Sequence, residues 1–81
     1  MNAEELRAIV IAELNNIAPE ADAAAIDPSA DLREALDIDS LDFLNFLEAI
    51  HKKIGVNVPE RDYGKLRNLN ALLAYLGERV R

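Results

Sequence analysis

Phe43, Phe46, Leu47, Ile50 and Ile54 recur at spacings of three and four, the pattern of a helix with one apolar stripe. Two other stretches repeat it: Leu6, Ile9, Val10, Leu14 and Ile17 near the start, and Leu69, Leu72, Leu73, Leu76 and Val80 near the end. Val56-Asn57-Val58-Pro59 looks extended, but no second strand-like run exists to pair with it, so it reads as loop. Helices that are apolar on a single stripe can bury those stripes only against each other. The fold class expected is all-α, a four-helix bundle with three long helices, one short third helix and a long loop between helices one and two.

Boundary signals support this division. Asn2 with Glu5 three residues later forms a capping-box pattern, and the first helix is expected to run to about Asn16, before Pro19. Residues 18–38 hold Pro19, Pro28 and isolated apolar anchors at Ile26, Leu32, Leu36 and Ile38. They read as a long ordered loop with one helical turn near Leu32 to Leu36, and loops of that length tend to be functional. The second long helix should span about Ser40 to Lys53 and stop at Gly55, with Lys52 and Lys53 suited to the negative end of its dipole. Pro59 begins a short helical turn through about Tyr63, closed by Gly64, and Asn68 caps the last helix. Residues 1–81 read as one domain without repeat, low-complexity tract or linker.

The chain has no cysteine and one histidine, so disulfides and thiolate metal sites are excluded and a zinc site is disfavoured. Stability must come from well-packed helices. No stretch reaches the length of a membrane span, and the N-terminus is acidic where a signal peptide would be basic, which makes a soluble cytoplasmic protein the expectation. The net charge of −6 argues against nucleic acid as a partner. Up to Ile50 there are twelve acids against Arg7 and Arg33, whereas from His51 onward seven lysines and arginines face three acids. That asymmetry would steer a basic partner toward the region from Asp37 to Asp42.

Asp39-Ser40-Leu41-Asp42 opens the second long helix. Asp39 is a good N-cap, and Asp42 stands where the reciprocal acid of a capping box would stand, although Glu or Gln is usual there. Ser40 then falls at the first helical position, near unpaired N–H groups where a phosphate ester would be well tolerated. It is not expected to be a nucleophile. His51 lies eleven residues up the same helix, about 16 Å along the axis, and Gly-x-Ser-x-Gly is absent because Ile38 and Asp42 flank the serine. A calcium loop fails as well: Asp37, Asp39 and Glu48 match its first, third and twelfth positions, but Leu41 is no ligand and Asp42 replaces the required glycine. The serine reads as one offered to another enzyme.

Laid out this way, the sequence resembles the acyl carrier proteins of the phosphopantetheine-binding family. The likeness covers nearly the whole chain: helix one, the long loop, Leu36 before the Asp39-Ser40-Leu41-Asp42 core, the Val58-Pro59 step into a short third helix, and Leu72-x-x-Tyr75-Leu76. The resemblance implies a carrier and not an enzyme. Ser40 would receive 4′-phosphopantetheine from coenzyme A through a separate phosphopantetheinyl transferase, with Asp39 and Leu41 beside it. The thiol of that arm would hold acyl groups as thioesters, which a chain without cysteine cannot do alone, and a tether presents cargo at high effective concentration. Asp37, Asp42, Leu44, Asn45 and Glu48 would meet acyl ligases or synthases with basic docking surfaces. Phe46, Leu47, Ile50, Ile54, Leu69 and Leu73 would line a shelter for the acyl chain, although each is also a natural core residue. The resemblance implies a monomer serving a fatty-acid, polyketide or specialised acyl pathway. An aminoacyl or peptidyl carrier and an unmodified helical adaptor are the alternatives.

Three positions depart from the family pattern. Asp37 stands where glycine is common, Glu48 stands where typical fatty-acid carriers present an apolar residue, and His51, Lys52 and Lys53 replace an acidic run. Because charge complementarity selects partners, these departures imply a dedicated pathway. The plain alternative is that the lysines complement a helix C-terminus.

Overall fold

In the computed structural model, which describes residues 1–80, each long helix starts at a short polar side chain that covers bare N–H groups. Asn2 Oδ1 accepts from the Glu5 N–H at 2.8 Å while Glu5 Oε1 accepts from the Asn2 N–H at 3.3 Å. This is the expected capping box, and it opens α1 (Ala3–Ile17). Asp31 accepts from the N–H groups of Arg33 and Glu34 and opens α2, Leu32–Leu36. Asp39 opens α3 (Ser40–Ile54), and Asn68, through Ala71 N–H at 2.7 Å, opens α4 (Leu69–Arg79).

The stops are equally specific. Gly55 ends α3 in the left-handed region at φ 75°, where a side chain would be strained, and its N–H returns to the His51 carbonyl at 2.9 Å. Asp37 ends α2 in the same region at φ 53°, so this position needs left-handed backbone although it carries a side chain.

Two expectations are revised. The short third helix is a 3-10 helix, Glu60–Lys65, and Gly64 lies inside it with right-handed backbone; Leu66, not Gly64, ends it. The long loop carries a 3-10 turn at Ala23–Ala25 besides α2. Ala23 N–H donates to Asn15 Oδ1 on α1 at 3.0 Å, which holds this turn where the isolated apolar residues alone could not. Val56 and Val58 are buried, but the described residues contain no strand. No helix among them is long and apolar enough to cross a membrane.

The stripes meet in one core. Leu6, Val10 and Leu14 of α1 pack with Phe43, Phe46, Leu47 and Ile50 of α3 and with Leu69, Leu72, Tyr75 and Leu76 of α4. α1 is the central element, in contact with both other long helices. Phe46 is fully buried and lies 5.9 Å from the ring of Phe43 in a tilted pair.

One buried polar group joins two elements. Asp62, on the 3-10 helix, is only 7 % exposed, accepts the Tyr75 hydroxyl at 2.6 Å and pairs with Lys65 at 3.0 Å. The Tyr75 hydrogen bond, then that from Lys65, holds the Asp62 carboxyl below its ordinary 3.8. The same bond, helped by burial, raises the Tyr75 phenol above 10.0. The Arg79 guanidinium lies over the Tyr75 ring, 3.5 Å from its centroid.

Phe46→Ala should cost about 3–5 kcal/mol, a large part of the roughly 4–12 kcal/mol that a domain of this size holds, and urea titration followed by circular dichroism will measure it. A depressed aspartate stabilises above its unfolded pKa and loses that contribution as pH falls through the folded value; a raised tyrosine does the reverse at high pH. The melting-temperature gap between wild type and Tyr75→Phe should therefore be full at neutral pH. It should close both below the ordinary aspartate range and above the ordinary tyrosine range.

Candidate functional site

The chain between α2 and α3 is three residues long: Asp37, Ile38 and Asp39. Ile38 is buried between two exposed acids, so its side chain anchors the turn while both carboxylates face outward. Ile38 N–H closes back on the Arg33 carbonyl at 3.0 Å. Asp39, extended at φ −95°, then accepts the Asp42 N–H at 2.8 Å, and Asp42 Oδ2 accepts the Asp39 N–H at 3.3 Å. The shorter aspartate thus completes a box normally closed by glutamate.

Ser40 is the first residue of α3 and is exposed at its tip. Its hydroxyl oxygen accepts a hydrogen bond from Arg33 Nη2 at 2.8 Å. Sequence reasoning did not single out Arg33, although a signal existed: it is one of two basic residues in the acidic first fifty. The last turn of α2 swings it back over the serine. Among the described residues the ion pairs are Lys65–Asp62, Arg67–Asp31 and Arg79–Glu78, and Arg33 is in none of them.

Among the described residues, Arg33 is the side chain that hydrogen-bonds the Ser40 hydroxyl, and it is a donor. His51 is exposed in the last turn of α3 beside Lys52 and Lys53, and one rigid helix separates it from Ser40. No three metal-ligating side chains are grouped among the described residues. The hydroxyl is exposed and oriented by a cation.

A surface groove of about 740 Å³ runs from Ser40 between α2, α3 and the 3-10 helix. Its walls include Arg33, Phe43, Leu44, Tyr63, Leu66 and Arg67. Arg67 is tied to Asp31 at 3.5 Å, and its carbonyl accepts the Leu32 N–H at 2.8 Å, which locks α2 to the segment before α4. Asp31 is held below 3.8, first by the Glu34 N–H and also by Arg67.

The other residues of interest divide by face. Leu41 is 65 % exposed and Leu44 38 % exposed, and Asn45, Glu48 and Asp37 are exposed as well. Asp42 is half-buried because its carboxylate serves the capping box. Phe46, Leu47, Ile50 and Leu69 are buried, with Ile54 and Leu73 half-buried against them. None of these six lines the groove, whose apolar walls are Ile38, Phe43, Leu44, Tyr63 and Leu66.

This geometry suits a phosphoryl-linked group: an outward hydroxyl, a guanidinium in contact with it, and a channel leading away. Comparison with known proteins agrees. The family described as "Phosphopantetheine attachment site" matches residues 4–76. The chain is similar to the acyl carrier protein of Helicobacter pylori strain G27, 30 % identical over 73 residues that span 90 % of this chain and 87 % of that one. It is likewise similar to the acyl carrier proteins of Campylobacter hominis (33 % over 73 residues, 90 % and 86 % of the two chains) and Thermosynechococcus vestitus (29 % over 77 residues, 95 % and 89 %). Fold, site and whole-length likeness converge, and the chain belongs to the phosphopantetheine attachment site family, whose members are carriers, not enzymes, and bear 4′-phosphopantetheine as their covalent group.

Proposed function

We propose that this chain is a cytoplasmic, monomeric acyl carrier, a single domain folded as a four-helix bundle, and that Ser40 is its attachment site. The observation that carries the reading is the Ser40 hydroxyl: first in α3, exposed and in contact with Arg33. Ser40 Oγ would take the new ester bond to phosphorus, passing its proton to the transferase as the nucleotide half of coenzyme A leaves. When attached, the group supplies the thiol that holds acyl cargo as a thioester. Asp39 fixes the start of α3, so the hydroxyl is offered in one orientation.

The partner surface in this reading is the outward side of α3. Leu41 and Leu44 offer apolar area beside Ser40, Asp37 and Asp42 supply negative charge, and Asn45 and Glu48 extend the patch. Among the described residues only Met1, Leu41 and Leu44 are large exposed hydrophobics, which supports a monomer with one docking spot. Phe46, Leu47, Ile50, Ile54, Leu69 and Leu73 would shelter an acyl chain only by parting from the core, since they pack in it and none lines the groove. The exposed basic turn at His51, Lys52 and Lys53 supports a dedicated partner enzyme over the general fatty-acid synthesis machinery.

Incubation with a phosphopantetheinyl transferase and coenzyme A should add one phosphopantetheinyl group to the intact mass, and Ser40→Ala should abolish the gain. An unchanged wild-type mass would leave an unmodified helical adaptor as the reading. In competition with a housekeeping carrier, the modified chain should be used at least tenfold less efficiently by general fatty-acid synthesis enzymes, a difference of about 1.4 kcal/mol. Equal use would place it in the general pathway.

A further inference from the structure

We infer that Arg33 is a positioning residue for the attached arm, its guanidinium moving from the Ser40 hydroxyl to the phosphodiester once Ser40 is esterified. The inference rests on the reading of Ser40 given above. In the unmodified chain Arg33 Nη2 already stands 2.8 Å from the oxygen that becomes the ester link. Esterification removes the hydroxyl proton and draws the oxygen's lone pairs toward phosphorus, so that oxygen becomes a poor acceptor. It also sets two non-bridging oxygens, sharing one negative charge, one bond further out. A planar guanidinium with five donors matches that pair of oxygens better than it matches a single hydroxyl.

The surroundings make a cation necessary there. Glu34, Asp37, Asp39 and Asp42 cluster along the α2–α3 turn, and the arm adds another negative charge beside them. Arg33 and Arg67 are the basic side chains of the groove, and Arg67 is committed to Asp31. Arg33 is in no ion pair among the described residues, and the Leu32 N–H to Arg67 carbonyl bond fixes the start of the short helix that carries it. A side chain held over the attachment atom with its charge uncommitted can hold the phosphate and aim the rest of the arm into the groove.

The test melts modified and unmodified forms of wild type, Arg33→Gln and Arg33→Lys, after intact mass has verified esterification of each. Arg33→Gln should lower the melting temperature of the modified form by roughly 2–5 °C more than that of the unmodified form. The excess should vanish at 1 M salt, where the Debye length is about 3 Å, and Arg33→Lys, which keeps the charge but not the planar fork, should recover part of it. The ³¹P resonance of the modified wild type should also differ from that of Arg33→Gln at low salt and converge with it at high salt. Equal loss in both forms, or a ³¹P shift indifferent to Arg33, would overturn the inference while leaving Ser40 as attachment site. A wild-type chain that gains no mass would overturn both.

Discussion

The chain must end one helix and begin another within three residues, and the site depends on how that turn is made. Asp37 adopts left-handed backbone, which costs a side-chain-bearing residue less when it is aspartate than when it is bulky or β-branched. Ile38 then points into the core and Asp39 out to cap α3. Without the left-handed residue α2 would continue, Ile38 would leave the core, and neither Arg33 nor Ser40 would stand where the other can reach it.

Packing elsewhere exists to hold that turn still. α1 gathers the stripes of α3 and α4, and this fixes the axis whose tip is Ser40. The bond from Leu32 N–H to the Arg67 carbonyl, and that from Asn70 N–H to the Pro28 carbonyl, stitch the long loop to the segment before α4 and to the first turn of α4. Asp62 and Tyr75 do the same for the 3-10 helix that forms the far wall of the groove. These attachments are polar and join residues far apart in the chain, and with the buried Ala23, Leu32, Leu36 and Ile38 they keep a loop of some twenty residues ordered.

Electrostatics gives the site its character. Acids surround the serine, and a lone arginine sits on it. The field of the acids reaches over a Debye length, whereas the arginine acts at contact range on the serine hydroxyl. The exposed Leu41 adds an apolar point between them. A cluster of acids, an exposed leucine and an arginine in contact with the serine thus occupy one end of the molecule. The basic turn at the other end of α3 makes the helix electrically uneven along its length.

Much of this was legible from residue order. The three long helices follow from apolar spacing, their starts from Asn2, Asp39 and Asn68, and the end of α3 from Gly55, because stripes and caps are set by neighbours three or four residues away. Ser40 was legible for the same reason, as its meaning depends on the cap before it and the stripe after it. Other features were not. The Asp62–Tyr75 bond, the groove and the reach of Arg33 join residues whose separation in sequence says nothing of their distance in space. The 3-10 character of Glu60–Lys65 and the continuation past Gly64 likewise depend on what Asp62 meets across the interface. The sequence alone determined where helices form and which serine is displayed, since those are local properties of hydrogen bonding and amphipathicity. Only the tertiary structure decided which cation serves that serine, because the choice rests on a left-handed turn and a set of long-range contacts that fold α2 back onto the tip of α3.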